Sequence, residues 1–434
     1  MGMAGTRRIT VALFLVWGAS RSVLLLCLLK VWVFPGPDVT GDVSVIYRGW
    51  YDVLLTGGFP SGDVSWQYPP GAALAVLSPA LLPFLSYAHA FFALALLADL
   101  AVLALLLYAG ARDGGGARGP WLWTLGLALL GPTVYARYDV MVTAVAVAAL
   151  VAGARHPRAL GVLAACGALL KVWPALLLAG AVRRRAWGAA AVTAGGLALV
   201  CALAMPGAFS FLRAQGGRGT EVESLGALVL HVARHFGWQG EVLLHYGSVE
   251  FLGPWVGTVS AGALGLSVAG LGWLVVWRLA ARRFSPATLA DAGFVAVLVF
   301  TVTSRVISPQ YLVWLVGLAA VCLGRRGARM TVPAVLVLLA CPVTVLEFPV
   351  YFGHVVASDG LGVTLLVVRN GLLVCATVGA ARRLWRDTVP ADERVLPPAP
   401  RFPALPSRDS TDSRGATESR DSRDSVASSP SGVR

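Results

Sequence analysis

Apolar residues come in long runs along this chain, separated by short polar connections. The runs fall at 10–33, 69–84, 87–110, 120–134, 139–154, 159–182, 187–205, 252–278, 288–304, 310–323, 330–346 and 361–381. Most are roughly 15 to 25 residues long, the length a helix needs to cross the hydrocarbon core of a bilayer. They are apolar on all faces and do not alternate, which excludes a membrane barrel. A backbone in lipid must satisfy its own hydrogen bonds, and helices do so within the segment. The pattern predicts an all-α, polytopic integral membrane protein of about twelve transmembrane helices.

Two stretches break the pattern. Residues 34–68 form a long connection before the second run, in which Val45, Ile46, Trp50, Val53, Leu54 and Leu55 make a helix-like stripe ending at Gly57-Gly58. That predicts short interfacial helices in the first loop. Residues 206–251 form a second long connection. From Asp387 onward prolines crowd 390–406 and a Ser/Arg/Asp-rich stretch follows, with too few apolar residues for a core. The expected organisation is a membrane domain over 1–386 and a disordered cytoplasmic tail over 387–434.

Of 434 residues, 57% are hydrophobic and 13% charged, against about a quarter charged in soluble proteins. The net charge of +13 does not imply nucleic acid, because the arginines cluster at the ends of apolar runs and no aromatic-studded basic patch occurs. Arg183–Arg185, Arg278–Arg283, Arg325–Arg329 and Arg382–Arg386 mark cytoplasmic ends by the positive-inside rule, as do Arg7 and Arg8. Both termini are then cytoplasmic, and 34–68 and 206–251 lie outside. Between 69 and 182 two layouts are open. A simple zigzag puts Arg112, Arg118, Arg155 and Arg158 outside, against the rule. The alternative makes 120–154 and 159–182 broken hairpins rising from the cytoplasm, with apices at Gly131–Asp139 and Lys171–Pro174, and lets 69–84 dip in without crossing. The six cysteines are scattered through apolar runs with no metal spacing, which makes them small core residues.

The first loop holds Asp38, Asp42, Asp52 and Asp63, interleaved with Tyr47, Trp50, Tyr51, Phe59, Trp66 and Tyr68. Asp42 could cap the loop helix or act chemically. Asp99, Arg137, Asp139, Lys171, Asp291, Arg305 and Arg369 lie in or beside apolar runs, where a charge costs about 2.5–3.5 kcal/mol unless it has a partner or a wet cavity. Lys171, just before Pro174, could neutralise a phosphate at the interface or pair with Asp139 or Asp99. Asp99, Asp291 and Arg369 read as structural. His231 and His235 have i, i+4 spacing but lack the glutamate of a zincin helix, so an interfacial helix is the expected reading. Ser308 and Pro309 suit the start of a helix whose free N–H groups, with Arg305, could hold an anion.

Several segments in order carry a family resemblance: Asp42–Tyr47 leading to Tyr68-Pro69-Pro70, Lys171-Val172-Trp173-Pro174 before an arginine cluster, Arg218-Gly219 through Glu223-Ser224-Leu225, and Ser308-Pro309-Gln310-Tyr311 with Trp314. Over about residues 10–385 the chain resembles the GT-C polytopic glycosyltransferases, specifically family 87, also catalogued as a domain of unknown function in actinobacterial membrane proteins. The resemblance implies a GT-C-like fold and transfer of a sugar, typically mannose and in some relatives arabinose. The implied donor is a polyprenyl-phosphate sugar, the acceptor a glycolipid or cell-wall glycan, and the setting membrane lipid at the extracytoplasmic face of the plasma membrane. No cofactor, metal or nucleotide sugar is implied. The family's first-loop acid maps to Asp42, the expected catalytic base. Lys171, Arg305, Arg218 and Arg137 are the expected donor-phosphate ligands, and Tyr47, Tyr68, Glu223, Ser308, Gln310 and Tyr311 the expected substrate contacts. Where many relatives carry a Gly-Gln-x-Asn-like element, this chain reads Arg137-Tyr138-Asp139. The alternative reading is a lipid or solute transporter, which would predict internal repeats and charges near the midplane. No repeat is visible, and the candidate groups cluster at the outer boundaries.

Overall fold

The computed structural model describes residues 3–214 and 219–390. Arg218 and the expected tail from 391 onward lie outside these described residues. The helices, in chain order, are α1 (Met3–Leu28), α2 (Arg48–Leu55), α3 (Ala72–Leu77), α4 (Tyr87–Asp113), α5 (Arg118–Leu129), α6 (Asp139–Gly153), α7 (Pro157–Leu170), α8 (Arg184–Ala204) and the single turn α9 (Phe211–Ala214). They continue with α10 (Ala227–Arg234), α11 (Val256–Ala280), α12 (Thr288–Thr303), α13 (Tyr311–Leu323), α14 (Thr331–Val345), α15 (Phe352–Ala357) and α16 (Gly360–Thr388).

Among the described residues, six helical segments rather than about twelve are long and apolar enough to cross a membrane: Arg7–Leu28, α4, α8, α11, Thr331–Val350 and α16. The other apolar runs fold shorter. Helices α6, α7, α12 and α13 have 13 to 16 residues, or about 20–24 Å at 1.5 Å per residue. Their length is not set by lipid. Nearly every residue of α12 and α13 is buried against protein, so neighbouring helices set where each one ends.

The middle of the chain adopts the broken-hairpin layout. Helix α5 runs to Leu129, a 3₁₀ turn at Gly131–Val134 reverses the chain, and α6 returns from Asp139. Helix α7 runs to Leu170, Lys171 is extended, and a 3₁₀ segment over Trp173–Gly180 returns towards Arg183. Gly131 adopts φ +67°, a conformation that an L side chain rarely takes and that makes the reversal possible. The 69–84 run does not cross: α3 and a 3₁₀ turn, Ser78–Leu81, span too little length before Ser86 caps α4 by accepting from the His89 amide. An ideal Cβ on Gly71 would sit 2.6 Å from the Leu169 carbonyl oxygen, so this dip is wedged against the end of α7 by a position only glycine fits.

The arginine clusters gather at one end. Asp113 at the end of α4 pairs with Arg112 at 2.7 Å and faces Arg325 at 3.8 Å. Arg329 pairs with Asp387, and the Arg282 and Arg283 amides both donate to the Thr388 carbonyl. Arg278 reaches the Ala181 carbonyl at 3.4 Å. This is the charge asymmetry that the hairpin layout requires. Deeper in the helix layer, Asp99 is fully buried and holds Arg21 at 2.8 Å, with Trp123 Nε1 and Tyr135 Oη donating to it at 2.6 Å each. Its reading as a structural anchor stands, tying α1, α4, α5 and the first hairpin apex together.

The loop 206–251 corrects the all-helical expectation. It contains a three-stranded antiparallel sheet, β1 (Thr220–Glu221), β2 (Glu241–His245) and β3 (Ser248–Leu252), in the order β1-β3-β2. His245 pairs with Ser248 across Tyr246-Gly247, both at positive φ, which is a two-residue hairpin turn. Two short runs with Val, Leu and Phe on either side of Tyr246-Gly247 are the hairpin signal that the reading of this loop passed over. Val222 and Phe251 from the sheet, Leu230 from α10, Val355 from α15 and Leu366 from α16 form a separate small core.

Candidate active site

At the end opposite the arginine clusters lies a cavity of about 620 Å³, within the range of small-molecule sites. Its walls come from the first loop, both hairpin apices, the sheet and the segment before α13.

The first loop folds as a π-helical turn, Asp42–Tyr47, running directly into α2. Asp42 does not cap it. Its carboxylate instead meets Arg137 Nη2 at 2.7 Å, and Asp42 remains about one-third exposed to the cavity. Arg137 is fixed in turn, with Nη1 donating to the Ala136 carbonyl at 2.7 Å and the Val39 carbonyl at 3.3 Å. The other loop carboxylates have local tasks. Asp38 accepts from Thr40 and from exposed Lys30, Asp63 accepts from Ser65 and Trp50, and Asp52 pairs with Arg48 on the surface. The aromatic residues make the loop rigid: Tyr47 stacks on Trp50 at 5.4 Å, and Trp50 meets Trp66 and Tyr68 edge-on.

Lys171 stands at the tip of the second hairpin. Its ammonium is 2.7 Å from Asp139, which starts α6 at the end of the first hairpin. Trp314 Nε1 donates to the same Asp139 oxygen at 2.6 Å. The Tyr68, Tyr138, Tyr311 and Trp314 rings surround Lys171 at 5.0 to 5.5 Å from their centroids. Trp314 is itself sandwiched, Tyr311 at 4.0 Å on one side and Trp173 at 5.1 Å on the other. Of the two expected readings of Lys171 the geometry shows the ion pair, with Asp139 as the partner, and the side chain also lines the cavity.

The remaining wall is acidic. Glu221 ends β1 and Glu223 lies in the turn that follows; both line the cavity, while Val222 between them enters the small core. Ser308 Oγ donates to Glu221 Oε1 at 2.8 Å, and the Glu221 amide donates to the Arg305 carbonyl at 3.1 Å. Burial, reinforced by the neighbouring Glu347 and Glu221 charges, pushes the Glu223 carboxyl well above the usual carboxylate range. Behind it, Arg369 Nη2 donates to the Glu223 carbonyl at 2.7 Å and to Glu347 Oε1 at 2.6 Å.

The structure thus brings Asp42, Arg137, Lys171, Arg305, Tyr68, Glu223, Ser308, Gln310 and Tyr311 to one cavity. Tyr47 also borders it but is 1% exposed, with its hydroxyl buried, and serves as wall. His231 is taken by Ser358 Oγ and the Val222 carbonyl, a structural position. Sequence reasoning missed Glu221 and Glu347. For Glu347 a signal existed: two opposite charges in neighbouring apolar runs, Glu347 and Arg369, should find each other.

The profile of glycosyltransferase family 87 matches residues 66–309. The chain belongs to glycosyltransferase family 87. The matched region includes Arg137, Lys171, Glu223, Arg305 and Ser308, and begins after Asp42. No curated protein sequence matches the chain. Among solved structures, ArnT from Cupriavidus metallidurans in the apo state is similar at 17% identity and a TM-score of 0.43, over 88% of this chain and 78% of ArnT. The same protein bound to undecaprenyl phosphate gives 17% and 0.42, over 89% and 78%. With six helices of membrane length, this member of family 87 is a membrane glycosyltransferase. Family membership favours transfer over the transporter reading.

Proposed function

We propose that the protein transfers a sugar, mannose by the family resemblance, from a polyprenyl-phosphate donor to a glycolipid or cell-envelope glycan at the extracytoplasmic face of the plasma membrane. The observation that carries this reading is the convergence of Asp42 with Lys171 and Arg305 on one cavity, opposite the arginine-rich end. The positive-inside rule makes that end cytoplasmic, with both termini, and the cavity extracytoplasmic.

In this reading, an acceptor hydroxyl gives its proton to Asp42 as its oxygen bonds to the anomeric carbon. The bond from that carbon to the phosphate oxygen breaks, and polyprenyl monophosphate leaves with the electron pair. A positioned base contributes typically 10²–10⁴ in rate. Arg137 holds one oxygen of Asp42 and fixes the carboxylate's aim. Lys171 and Arg305 balance the charge that grows on the departing phosphate, and the rings around Lys171 hold its ammonium in place. Tyr68, Ser308, Gln310 and Tyr311 supply hydroxyl and amide groups to substrate. Arg218 is the remaining proposed phosphate ligand.

The test is turnover by purified protein in lipid nanodiscs of radiolabelled polyprenyl-phosphate mannose, polyprenyl-phosphate arabinose and GDP-mannose, with membrane glycolipid extract as acceptor. The reading predicts transfer from a polyprenyl-phosphate sugar and none from the nucleotide sugar. Use of GDP-mannose alone would overturn it.

A further inference from the structure

Behind the acidic wall of the cavity lies a cluster the catalytic scheme does not use. Glu347 and Arg369 are each fully buried and paired at 2.6 Å. Arg369 Nη2 and Asn370 Nδ2 both reach the Glu223 backbone carbonyl, at 2.7 and 3.4 Å. A helix of the transmembrane layer, α16, thereby grips a turn residue of the outer loop from behind. Glu223 is 4% exposed and lines the cavity, and its carboxyl shares a hydrogen bond with that of Glu347. A carboxyl on a cavity wall has acceptor sites enough to meet a ligand hydroxyl as well as its protein partner. The same cavity is lined by Phe348, next in sequence to Glu347, and by Phe352, both half-buried, with ring centroids 5.0 Å apart at 85°. An aromatic face next to a carboxyl suits one chemical class well, a sugar ring. The C–H face packs on the aromatic ring while a hydroxyl meets the carboxyl.

We propose that Glu223, Phe348 and Phe352 form a sugar subsite, and that Glu347 and Arg369 are the positioning residues that present Glu223 to it. The inference rests on the proposed glycosyl transfer for the identity of the ring, a hexose of donor or acceptor. Glu223 contacts a hydroxyl, while Glu347 and Arg369 act through it and touch no substrate. Arg369 stands between two buried carboxyls, Glu223 and Glu347, with Glu221 two residues before Glu223, so Glu223 is presented as a hydrogen-bonding acid and not as a free anion.

The test is calorimetric titration of the full chain in nanodiscs with three probes: farnesyl-phosphate mannose, farnesyl phosphate and octyl α-mannoside. Glu223→Ala should weaken a mannose-bearing probe about tenfold, the loss of one well-made hydrogen bond, while leaving farnesyl phosphate unchanged. Glu223→Gln, which keeps a neutral hydrogen-bonding side chain, should lose less than Glu223→Ala. Loss confined to farnesyl-phosphate mannose assigns the subsite to the donor sugar, and loss for octyl α-mannoside assigns it to the acceptor. Glu347→Gln should weaken the same probe, and Glu223→Ala/Glu347→Gln should be no worse than Glu223→Ala alone. Rescue of Glu347→Gln towards wild type by Glu347→Asp would separate positioning from general destabilisation. Equal weakening of farnesyl phosphate, or mannose-probe affinity within twofold of wild type in Glu223→Ala, would overturn the subsite. Wild-type protein that binds no phosphate probe would count against glycosyl transfer from a lipid phosphate, while octyl α-mannoside would still report on Glu223.

Discussion

Lys171 is asked to hold both the fold and a phosphate, and the two tasks can be separated. Lys171→Met removes the ammonium 2.7 Å from a carboxylate that is fully buried. Asp139 keeps Trp314 Nε1 at 2.6 Å, but its charge loses its counterion. Breaking a buried pair from one side costs about 3–5 kcal/mol, whereas replacing both members with apolar groups is often neutral or stabilising. Lys171→Met should therefore lower the unfolding midpoint strongly, and Lys171→Met/Asp139→Leu should recover most of the loss. Catalysis should not recover. One charge-assisted hydrogen bond to phosphate is worth about 1.5–3 kcal/mol, so donor KM should rise by about 10- to 150-fold in both variants. Thermal unfolding in nanodiscs gives the first quantity and initial-rate kinetics with polyprenyl-phosphate sugar the second. A double variant that is stable and binds donor like wild type would show that Lys171 is a structural cation only, and the phosphate assignment would be lost.

Other expectations follow from the same coordinates. Burial pushes the His231 imidazole down to about 4, outweighing its hydrogen bond to the Val222 carbonyl. The unfolded chain then takes up a proton between pH 6.5 and 4 that the folded one refuses, so stability falls as pH drops through that window, by at most about 3 kcal/mol. His231→Asn should flatten that pH dependence in unfolding titrations. An unchanged slope would locate the titrating group elsewhere. Asp99→Ala should abolish folded expression by stranding Arg21, which is 2% exposed, at a cost of about 3–5 kcal/mol, while Arg21→Met/Asp99→Leu should express. Gly71→Val should lower thermal stability markedly, because its Cβ would meet the Leu169 carbonyl at 2.6 Å. Wild-type stability in that variant would contradict the close approach of α3 to α7.

Much of the fold was legible from local signals. The apolar runs located the helices, and Gly131-Pro132 marked a reversal. The number of crossings was not legible, because hydropathy does not distinguish a helix wrapped by lipid from one wrapped by protein: α13 is as apolar as any true span yet only 13 residues long. Arginine bias pointed to the hairpin layout of 120–182, but only the three-dimensional grouping of Asp113, Arg325 and Arg329 with Asp387 selects it. In the site, Lys171 and Arg305 were nominated because charges in or beside apolar runs need a reason, and Asp42 by the family resemblance. Their partners were not readable. Arg137 and Asp42 are ninety-five positions apart in sequence, and Lys171 could equally have met Asp99 until the two hairpin apices were seen to adjoin. The sheet was missed because its strands are short and lie within a loop otherwise read by helical spacing.

Catalysis by Asp42 is tested most directly by Asp42→Asn, which keeps the shape beside Arg137 and removes the base. Transfer of mannose from polyprenyl-phosphate mannose to glycolipid should fall by about 10²–10⁴, with thermal stability and polyprenyl monophosphate affinity close to wild type. A variant that retains most of its transfer rate would contradict the account, and the proton would have to go to another group on the cavity wall.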